Sequence, residues 1–518
     1  MAFHDHRPNR RLGRSERPLV KLTKDLTGFL YQAQRSLTYD TLHLPNRQRG
    51  FLAHILVEFA EDLYQDIGMW RSLEQYNLDF FGTPLPCVLQ PDEEMDSDPV
   101  NPERVQFLLW TLYSELEPDL ILAPNHQDLE HLSFMITEFF TERFARLRYN
   151  SGVKAFLTTP DQYGWEVKRK LVWLGQHSYL FRLNCANYVQ DHGGKYDVPI
   201  LDDFLCQENT SWSGLGVIDI LASTLDITES QRRALRSWYE RHAGYFRIVS
   251  IHEPLMEVVN ILNEQTYTVR VDENASVFET YQLVFGSLVP WDGEWYWSGM
   301  QQGIETVTED IIEQLRQELP LKAPQVVYRY REDLAERARE LVREQYQEFV
   351  DYYGKDLVIY ADGSAMATDM QTFLTHHNAS KPKAAVAEVL EKHHLTDISP
   401  QMSFPPDLLE ATDGIGVYCN PDEGQEMMMS FDDVLSGFQK QGRDLNEDES
   451  EMVRQFLYSD AISPQFVSKL VQEYGDVSIA SSFLIPHECA QLYLEYLLRR
   501  YKGHFYRKRY PSITLVGS

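Results

Sequence analysis

At Tyr245 the sequence changes from helical periodicity to short runs of β-branched and aromatic residues. Five such runs, separated by turn residues, follow one another as far as Gly299: YFRIVSI, LMEVVNIL, TYTVRV, TYQLVFGSLV and EWYWSG. Runs of this composition and length are typical of β-strands. Because short strands so close in sequence must cover their own edges, they predict a small SH3-like or OB-like β-barrel over residues 244–300.

The chain before the barrel segment is predicted to be mainly helical. Residues 51–66, FLAHILVEFAEDLYQD, carry apolar side chains every three or four positions, the spacing that gives a helix one buried face. Asn101 can cap a second helix whose first residue is Pro102. A third helix is predicted from near Asn125 to about Tyr149. These patterns indicate a helical domain over residues 25–243.

The chain after the barrel segment mixes both periodicities. Residues 331–353 have a helical apolar stripe, and DLVIYA at 356–361 resembles a strand. Residues 414–431 predict two strands that turn at Pro421 to Gly424. The fold class is therefore α+β, with a mainly helical N-terminal domain, a small SH3-like or OB-like barrel in the middle and a mixed α/β C-terminal domain over residues 301–518.

Charge is unevenly distributed along the chain. The formal net charge is -30, yet residues 1–24 carry seven Lys/Arg against two Asp/Glu, and residues 499–509 carry six Lys/Arg and no Asp/Glu. We expect residues 1–24 to form a flexible basic arm and the C-terminus to end in a basic tail. Since nucleic-acid binding depends on Lys and Arg replacing counterions, the acidic body should not bind nucleic acid, and only the two ends could.

Composition also limits the compartment. No run of eighteen apolar residues occurs, and the N-terminus lacks the apolar stretch of a secretory signal, so we expect a soluble cytoplasmic protein without a membrane partner. The cysteines are odd in number and widely spaced, which argues against a disulfide framework and a Cys-rich zinc site; they are Cys87, Cys185, Cys206, Cys419 and Cys489.

Sequence patterns for catalysis are weak. Gly214-Leu215-Gly216 lacks the third glycine and the lysine of a phosphate-binding loop. The pairs His376-His377 and His393-His394 are adjacent, so their side chains point to different faces of a helix and do not form a metal pair. His487, Glu488 and Cys489 are close in sequence but do not face one another. We therefore predict no catalytic, cofactor-binding or metal-binding residues and no cofactor.

The most unusual local sequence is LVPWDGEWYWSG at residues 288–299. In a strand, Trp295 and Trp297 lie on one face and Tyr296 on the other, and Trp291 precedes the turn. One interpretation is a ligand groove of Trp291, Trp295 and Trp297, because aromatic small barrels can bind proline-rich peptides. The other interpretation is that these rings only close the barrel core.

Six segments resemble a bacterial family of unknown function, domain of unknown function 3843: FLLWTLYSEL, LVPWDGEWYWSG, GKDLVIYADGSAMATDMQTFL, GIGVYCNPDEG, SDAISPQFVSKLVQEYG and RRYKGHFYRKRYPSITLV. The resemblance extends from about residue 50 to the C-terminus. It implies no activity, cofactor or site residue, because the family has none assigned.

Three functional hypotheses remain open. The first is a non-catalytic interaction or regulatory protein whose partner is another protein, since no local catalytic pattern is present. The second is a hydrolase-like enzyme whose acids and bases converge between domains and so leave no local motif. In the third, the basic ends contact RNA or an acidic patch on another copy of the chain. Their residues are Arg7, Arg10, Arg11, Arg14, Arg507, Lys508 and Arg509. The sequence does not indicate an oligomeric state.

Overall fold

The computed structural model describes residues 2–39, 42–117, 122–147, 150–304, 308–322, 328–329, 331–380, 390, 402–474 and 490–510. The chain forms two compact units. The first contains Met1–Leu319 and Phe483–Tyr506, and the second contains Pro320–Ser482 and Arg507–Ser518.

The helices are, in chain order, α1 (Arg17–Gln34), α2 (Asn46–Gln65), α3 (Met69–Phe81), α4 (Pro102–Leu116), α5 (Gln127–Arg143), α6 (Gly152–Thr158), α7 (Gly164–His177), α8 (Arg182–Asp191), α9 (Val198–Gln207), α10 (Val217–Thr224), α11 (Glu229–Arg236), α12 (Glu309–Lys322), α13 (Glu332–Tyr353), α14 (Gly363–Ser380), α15 (Pro406–Glu410), α16 (Phe431–Gln439), α17 (Glu447–Tyr458), α18 (Pro464–Tyr474) and α19 (Ala490–Lys502).

The strands are β1 (His242–His252), β2 (Leu255–Asn260), β3 (Thr266–Arg270), β4 (Leu283–Trp291), β5 (Glu294–Ile304), β6 (Leu357–Tyr360), β7 (Ile415–Asn420) and β8 (Gly424–Met429). The α+β fold class is confirmed, with a helical N-terminal part, a five-stranded barrel and a mixed C-terminal part.

Hydrogen bonds to capping side chains determine where some helices of the first unit begin. The side chain of Asn101 accepts a hydrogen bond from the Arg104 amide at 2.9 Å, which confirms the predicted cap of α4. The third predicted helix, α5, begins at Gln127, near the predicted Asn125, with His126 as its cap, and it ends at Arg143. Tyr149 lies outside the described residues.

The barrel closes in the strand order β1-β2-β3-β5-β4, with β1 antiparallel to both β2 and β4. This is the Greek-key connectivity of an OB-fold. The last seam is short, because β3 and β5 run parallel and pair only at Val269 and Trp295. Phe246, Ile248 and Val258 belong to the barrel core. Alternate residues of each strand point inward, so the apolar repeat of two residues that was predicted from the sequence accounts for this core.

The second unit contains a three-stranded antiparallel sheet in the order β6-β7-β8. Asn420 pairs with Gly424, which confirms the predicted turn at Pro421 to Gly424. Residues of β7 are buried along its whole length, and α13, α16 and α18 pack against it. The core of this unit therefore lies around the central strand.

The N-terminal segment, expected to be a flexible arm, is instead folded in the first unit. Residues Phe3–His6 form a 3-10 helix, and α1 already begins at Arg17. The Arg7 side chain is 2% exposed, and its Nη1 lies 2.6 Å from Glu61 Oε2. Arg10, Arg11 and Arg14 are exposed. The structure corrects this expectation. The composition of a segment gives its charge but not its contacts, and the burial of Arg7 depends on a carboxylate of a distant helix.

The C-terminal helix α19 also lies in the first unit, although the sequence assigned it to the third domain. The Tyr496 ring lies 5.5 Å from that of Trp110 and 5.7 Å from that of Phe81, between ring centroids. These contacts join the end of the chain to α3 and α4. Of the basic tail, Arg509 belongs to the second unit and lies 3.1 Å from Glu423.

Candidate functional site: an aromatic cleft beside the barrel

The three predicted groove tryptophans have different surroundings. Trp291 is fully buried, so its ring belongs to the interior. Trp295 and Trp297 are partly buried and pack against the barrel core. The ring centroids of Trp297 and Phe246 lie 5.6 Å apart. Tyr296 faces the opposite side of β5, as the strand periodicity predicted. Of the three, Trp297 also lines an open cleft.

This cleft has a volume of about 920 Å³ and lies where the first turn of α7 approaches the short seam between β3 and β5. We call it the barrel cleft. Its lining residues are Tyr163, Gly164, Trp165, Lys168, Arg270, Val271, Asp272, Val277, Phe278, Val289, Tyr296, Trp297 and Gln301. The volume lies in the range of sites that hold small molecules or short segments.

Aromatic rings form one wall of the barrel cleft. Tyr163 and Trp165 stack with their centroids 4.6 Å apart, and Trp165 meets Tyr296 edge-on at 5.5 Å. Gly164 allows this approach, since a Cβ there would lie 2.7 Å from the Tyr296 ring. The Trp165 side chain is 43% exposed. An exposed ring held in place by two neighbours is a rigid surface for a ligand.

The cationic group at one end of the cleft is Arg270. Its Nε and Nη2 donate to the two carboxylate oxygens of Glu294 at 2.5 and 2.7 Å, and its Nη1 donates to Asp272 at 3.1 Å. The guanidinium also lies over the Tyr163 ring at 5.2 Å. Hydrogen bonds from Arg270 lower the pKa of Glu294. The Glu294 carboxylate is therefore ionised, and the Arg270 charge is paired.

Lys168 is held at the other end by buried groups. Its Nζ contacts Asp202 and donates to Ser298 Oγ at 3.0 Å. Asp202 also accepts from Arg241 at 2.6 Å, and although burial opposes ionisation, Lys168 and Arg241 lower the pKa of Asp202. A Cβ at Gly299, where φ is +72°, would lie 2.7 Å from Asp202. This network fixes α7 and α9 against β5, so it positions the cleft wall.

Two polar atoms of cleft residues have no hydrogen-bond partner among the described residues. They are Nε1 of Trp297 and Oδ2 of Asp272, and both are shielded from solvent. A buried donor or acceptor without a partner costs about 1–3 kcal/mol.

The other sequence motifs have structural explanations where they are described. Gly214 has φ +71°, and a Cβ there would lie 2.0 Å from the Arg499 carbonyl oxygen, so close packing requires this glycine. Burial raises the pKa of the Cys185 and Cys419 thiols to about 12, which makes them poor nucleophiles. The His393-His394 pair and the segment His487 to Cys489 lie outside the described residues.

His377 belongs to a smaller cleft in the second unit. Its Nδ1 contacts Glu348 Oε2, and both residues line a cavity of about 220 Å³ together with Met370, Phe373 and Met402. His376, in contrast, packs its ring 5.0 Å from Tyr352. The two histidines thus diverge as predicted for adjacent helical positions.

Sequence reasoning missed the α7 side of the barrel cleft. Tyr163 and Trp165 contribute most of its exposed aromatic wall, yet the sequence analysis considered only the tryptophans of β4 and β5. The available signal was local, since two aromatic residues flank a glycine at a helix start in the segment Tyr163-Gly164-Trp165. The contact of that segment with Tyr296 is non-local, and the sequence alone did not reveal it.

Residues 37–203 match the family model described as a protein of unknown function (DUF3843). The resemblance inferred from sequence segments is confirmed over this range, which includes FLLWTLYSEL and the α7 side of the barrel cleft. The barrel and the second unit lie outside it. No curated protein and no solved structure matches the chain. Among the described residues, no helix combines the length and apolar composition needed to cross a bilayer.

Proposed function

We propose that this chain is a non-catalytic interaction protein that binds a short, proline-rich segment of another protein in the barrel cleft. The observation that carries the proposal is the exposed ring of Trp165, which Tyr163 and Tyr296 hold in the wall of the cleft. Proline-rich segments adopt an extended helix without internal hydrogen bonds, so aromatic grooves bind their rings and indole groups bind their carbonyls.

Charge favours a basic segment. The two cations of the cleft, Lys168 and Arg270, are already paired with Asp202, Glu294 and Asp272. The whole chain has a formal net charge of -30, which attracts positively charged partners over several ångströms. A segment of prolines with flanking arginines therefore fits both the wall and the surrounding potential. We place the protein in the cytoplasm, supported by Cys185, Cys206 and Cys419 being free thiols.

Fluorescence anisotropy with a labelled peptide of eight prolines followed by two arginines tests this proposal. We expect saturable binding to the full chain and, for Trp165→Ala and Tyr163→Ala, an affinity reduced about tenfold or more, because an anchoring aromatic ring contributes about 2 kcal/mol. A peptide of the same length in which Gly and Ser replace the prolines should bind at least about tenfold more weakly.

Tyr196→Ala is the matched control, because Tyr196 is an exposed aromatic residue outside the cleft. Its peptide affinity should equal that of the unmodified chain. Absence of peptide binding, or equal binding by Tyr196→Ala and Trp165→Ala, would overturn the proposal. Circular dichroism of each variant verifies that the fold is retained.

A second candidate function, a hydrolase-like enzyme, is favoured by the contact of His377 with Glu348 in the smaller cleft. A histidine oriented by a carboxylate is the arrangement of a general base. A panel of chromogenic ester and phosphoester substrates tests it: hydrolysis abolished equally by His377→Ala and Glu348→Gln, but not by His376→Ala, would favour the enzyme. Rates that do not change with these substitutions would exclude this pair as its active site.

A further inference from the structure

A buried polar cluster lies where the N-terminal segment meets α2. His54 and Glu58 are one helical turn apart on α2 and thus share a face, and His6 reaches them from the 3-10 helix Phe3–His6. One ring nitrogen of each histidine and one oxygen of Glu58 lie within 4.8 Å of one another. The exposed fractions of His6 and Glu58 are 4% and 7%.

Packing holds the three side chains in these positions. His6 Nδ1 lies 3.0 Å from Glu58 Oε1, and Arg182 Nη1 contacts Glu58 Oε2. The Phe3 ring stacks on His54 at 5.7 Å, between ring centroids. A site of this kind requires side chains whose rotamers are fixed before the ligand arrives.

Several polar atoms in this cluster have no partner among the described residues. They are Nε2 of His6, Nδ1 of His54, and Nε and Nη2 of both Arg7 and Arg182. In native proteins such buried atoms are nearly always paired, and an unexplained set indicates an unobserved ion or water. A cation bonds to an imidazole nitrogen, and ordinary buried water accepts hydrogen bonds from a guanidinium.

We propose that His6, His54 and Glu58 bind a divalent transition-metal ion of the zinc type, which fastens the N-terminal segment to α2. Two imidazoles and one carboxylate form a donor set that suits zinc, with water as a fourth ligand. Because His6 and Glu58 are buried, the ion is structural and takes no part in binding at the barrel cleft. The site joins two chain segments that are far apart in sequence, so it exists only in the folded chain, and the free energy of metal binding stabilises the fold.

Titration of the chelator-treated full chain with Co²⁺, followed by visible absorption, tests the site. We expect one Co²⁺ per chain with the absorption of a four-coordinate N/O site, displaced by Zn²⁺. Zn²⁺ should also raise the thermal midpoint of unfolding, because it binds the folded state alone.

Two histidine variants make the test specific. In His54→Gln, which preserves side-chain size, the affinity for Co²⁺ should fall at least about tenfold and the stabilisation by Zn²⁺ should disappear. In His131→Ala both should stay unchanged, because His131 is exposed on α5. Equal Co²⁺ binding by His54→Gln and His131→Ala, or no stoichiometric binding by the unmodified chain, would overturn the proposal.

Discussion

The barrel cleft and the buried cluster around Glu58 both hold polar atoms without partners, but their surroundings differ. The cleft is an open volume of about 920 Å³ with an exposed aromatic wall. The cluster is closed, because His6 and Glu58 are only 4% and 7% exposed and Arg182 contacts Glu58. An exposed aromatic wall beside an open volume suits an organic ligand, whereas a closed, packed cluster leaves room only for an ion or water.

The largest expected effect follows from Glu58→Ala. This change leaves the Arg182 guanidinium buried without its carboxylate, so the free energy of unfolding should fall by about 3–5 kcal/mol. Urea unfolding in metal-free buffer, followed by tryptophan fluorescence, measures it. All nine tryptophans lie in the first unit, so this signal reports that unit alone.

Glu130→Ala is the control for this prediction, because Glu130 is exposed on α5. Its stability should change by less than about 0.5 kcal/mol. Equal losses in the two variants would mean that the cluster stabilises the fold no more than a surface carboxylate does. The buried cluster and the barrel cleft would then not differ in how much they stabilise the fold.

The next effect concerns pH and Glu61. Burial raises the pKa of Glu61 to about 7, so the folded state binds its proton more tightly than the unfolded state does. This contribution to stability is present below pH 4.5 and is lost as the pH rises through about 7. Between these values the unmodified chain should lose about 2–3 kcal/mol relative to Glu61→Gln, which cannot ionise.

Urea unfolding of both chains at several pH values in metal-free buffer measures this difference. The control is Glu130→Gln, whose pH dependence should parallel that of the unmodified chain. A difference between the unmodified chain and Glu61→Gln that grows as the pH falls would contradict the prediction. It would mean that Arg7 outweighs burial and keeps Glu61 ionised.

Local patterns predicted much of the fold. The barrel followed from runs with a period of two, and the opposite orientations of Trp295 and Tyr296 followed from the same rule. Asn101 and Pro102 predicted the start of α4, because a cap depends on atoms within one helical turn. Such features need no information from distant segments, and sequence reasoning therefore recovers them.

Features that depend on distant partners were missed. The basic composition of residues 1–24 suggested a free arm, yet Arg7 is buried because Glu61 lies opposite it. The sequence pattern used for a metal site was two histidines one helical turn apart. A histidine and a carboxylate at this spacing do not fit it, so His54 and Glu58 were not predicted as ligands. The spacing of His54 and Glu58 would still not have predicted His6, because His6 lies near these two residues only in the folded chain. The cleft was missed for the same reason, because Tyr163 lies beside the barrel only through tertiary packing.

The smallest expected effect on stability follows from Trp165→Ala and completes the comparison. Trp165 is 43% exposed and contacts Tyr163 and Tyr296 through its ring. Loss of these ring contacts should lower the free energy of unfolding by only about 1 kcal/mol, measured by urea unfolding as above. Tyr196→Ala, with no cleft contact, should change stability by less than about 0.5 kcal/mol. A loss for Trp165→Ala as large as that for Glu58→Ala would mean that the aromatic wall stabilises the fold and is not an exposed binding surface.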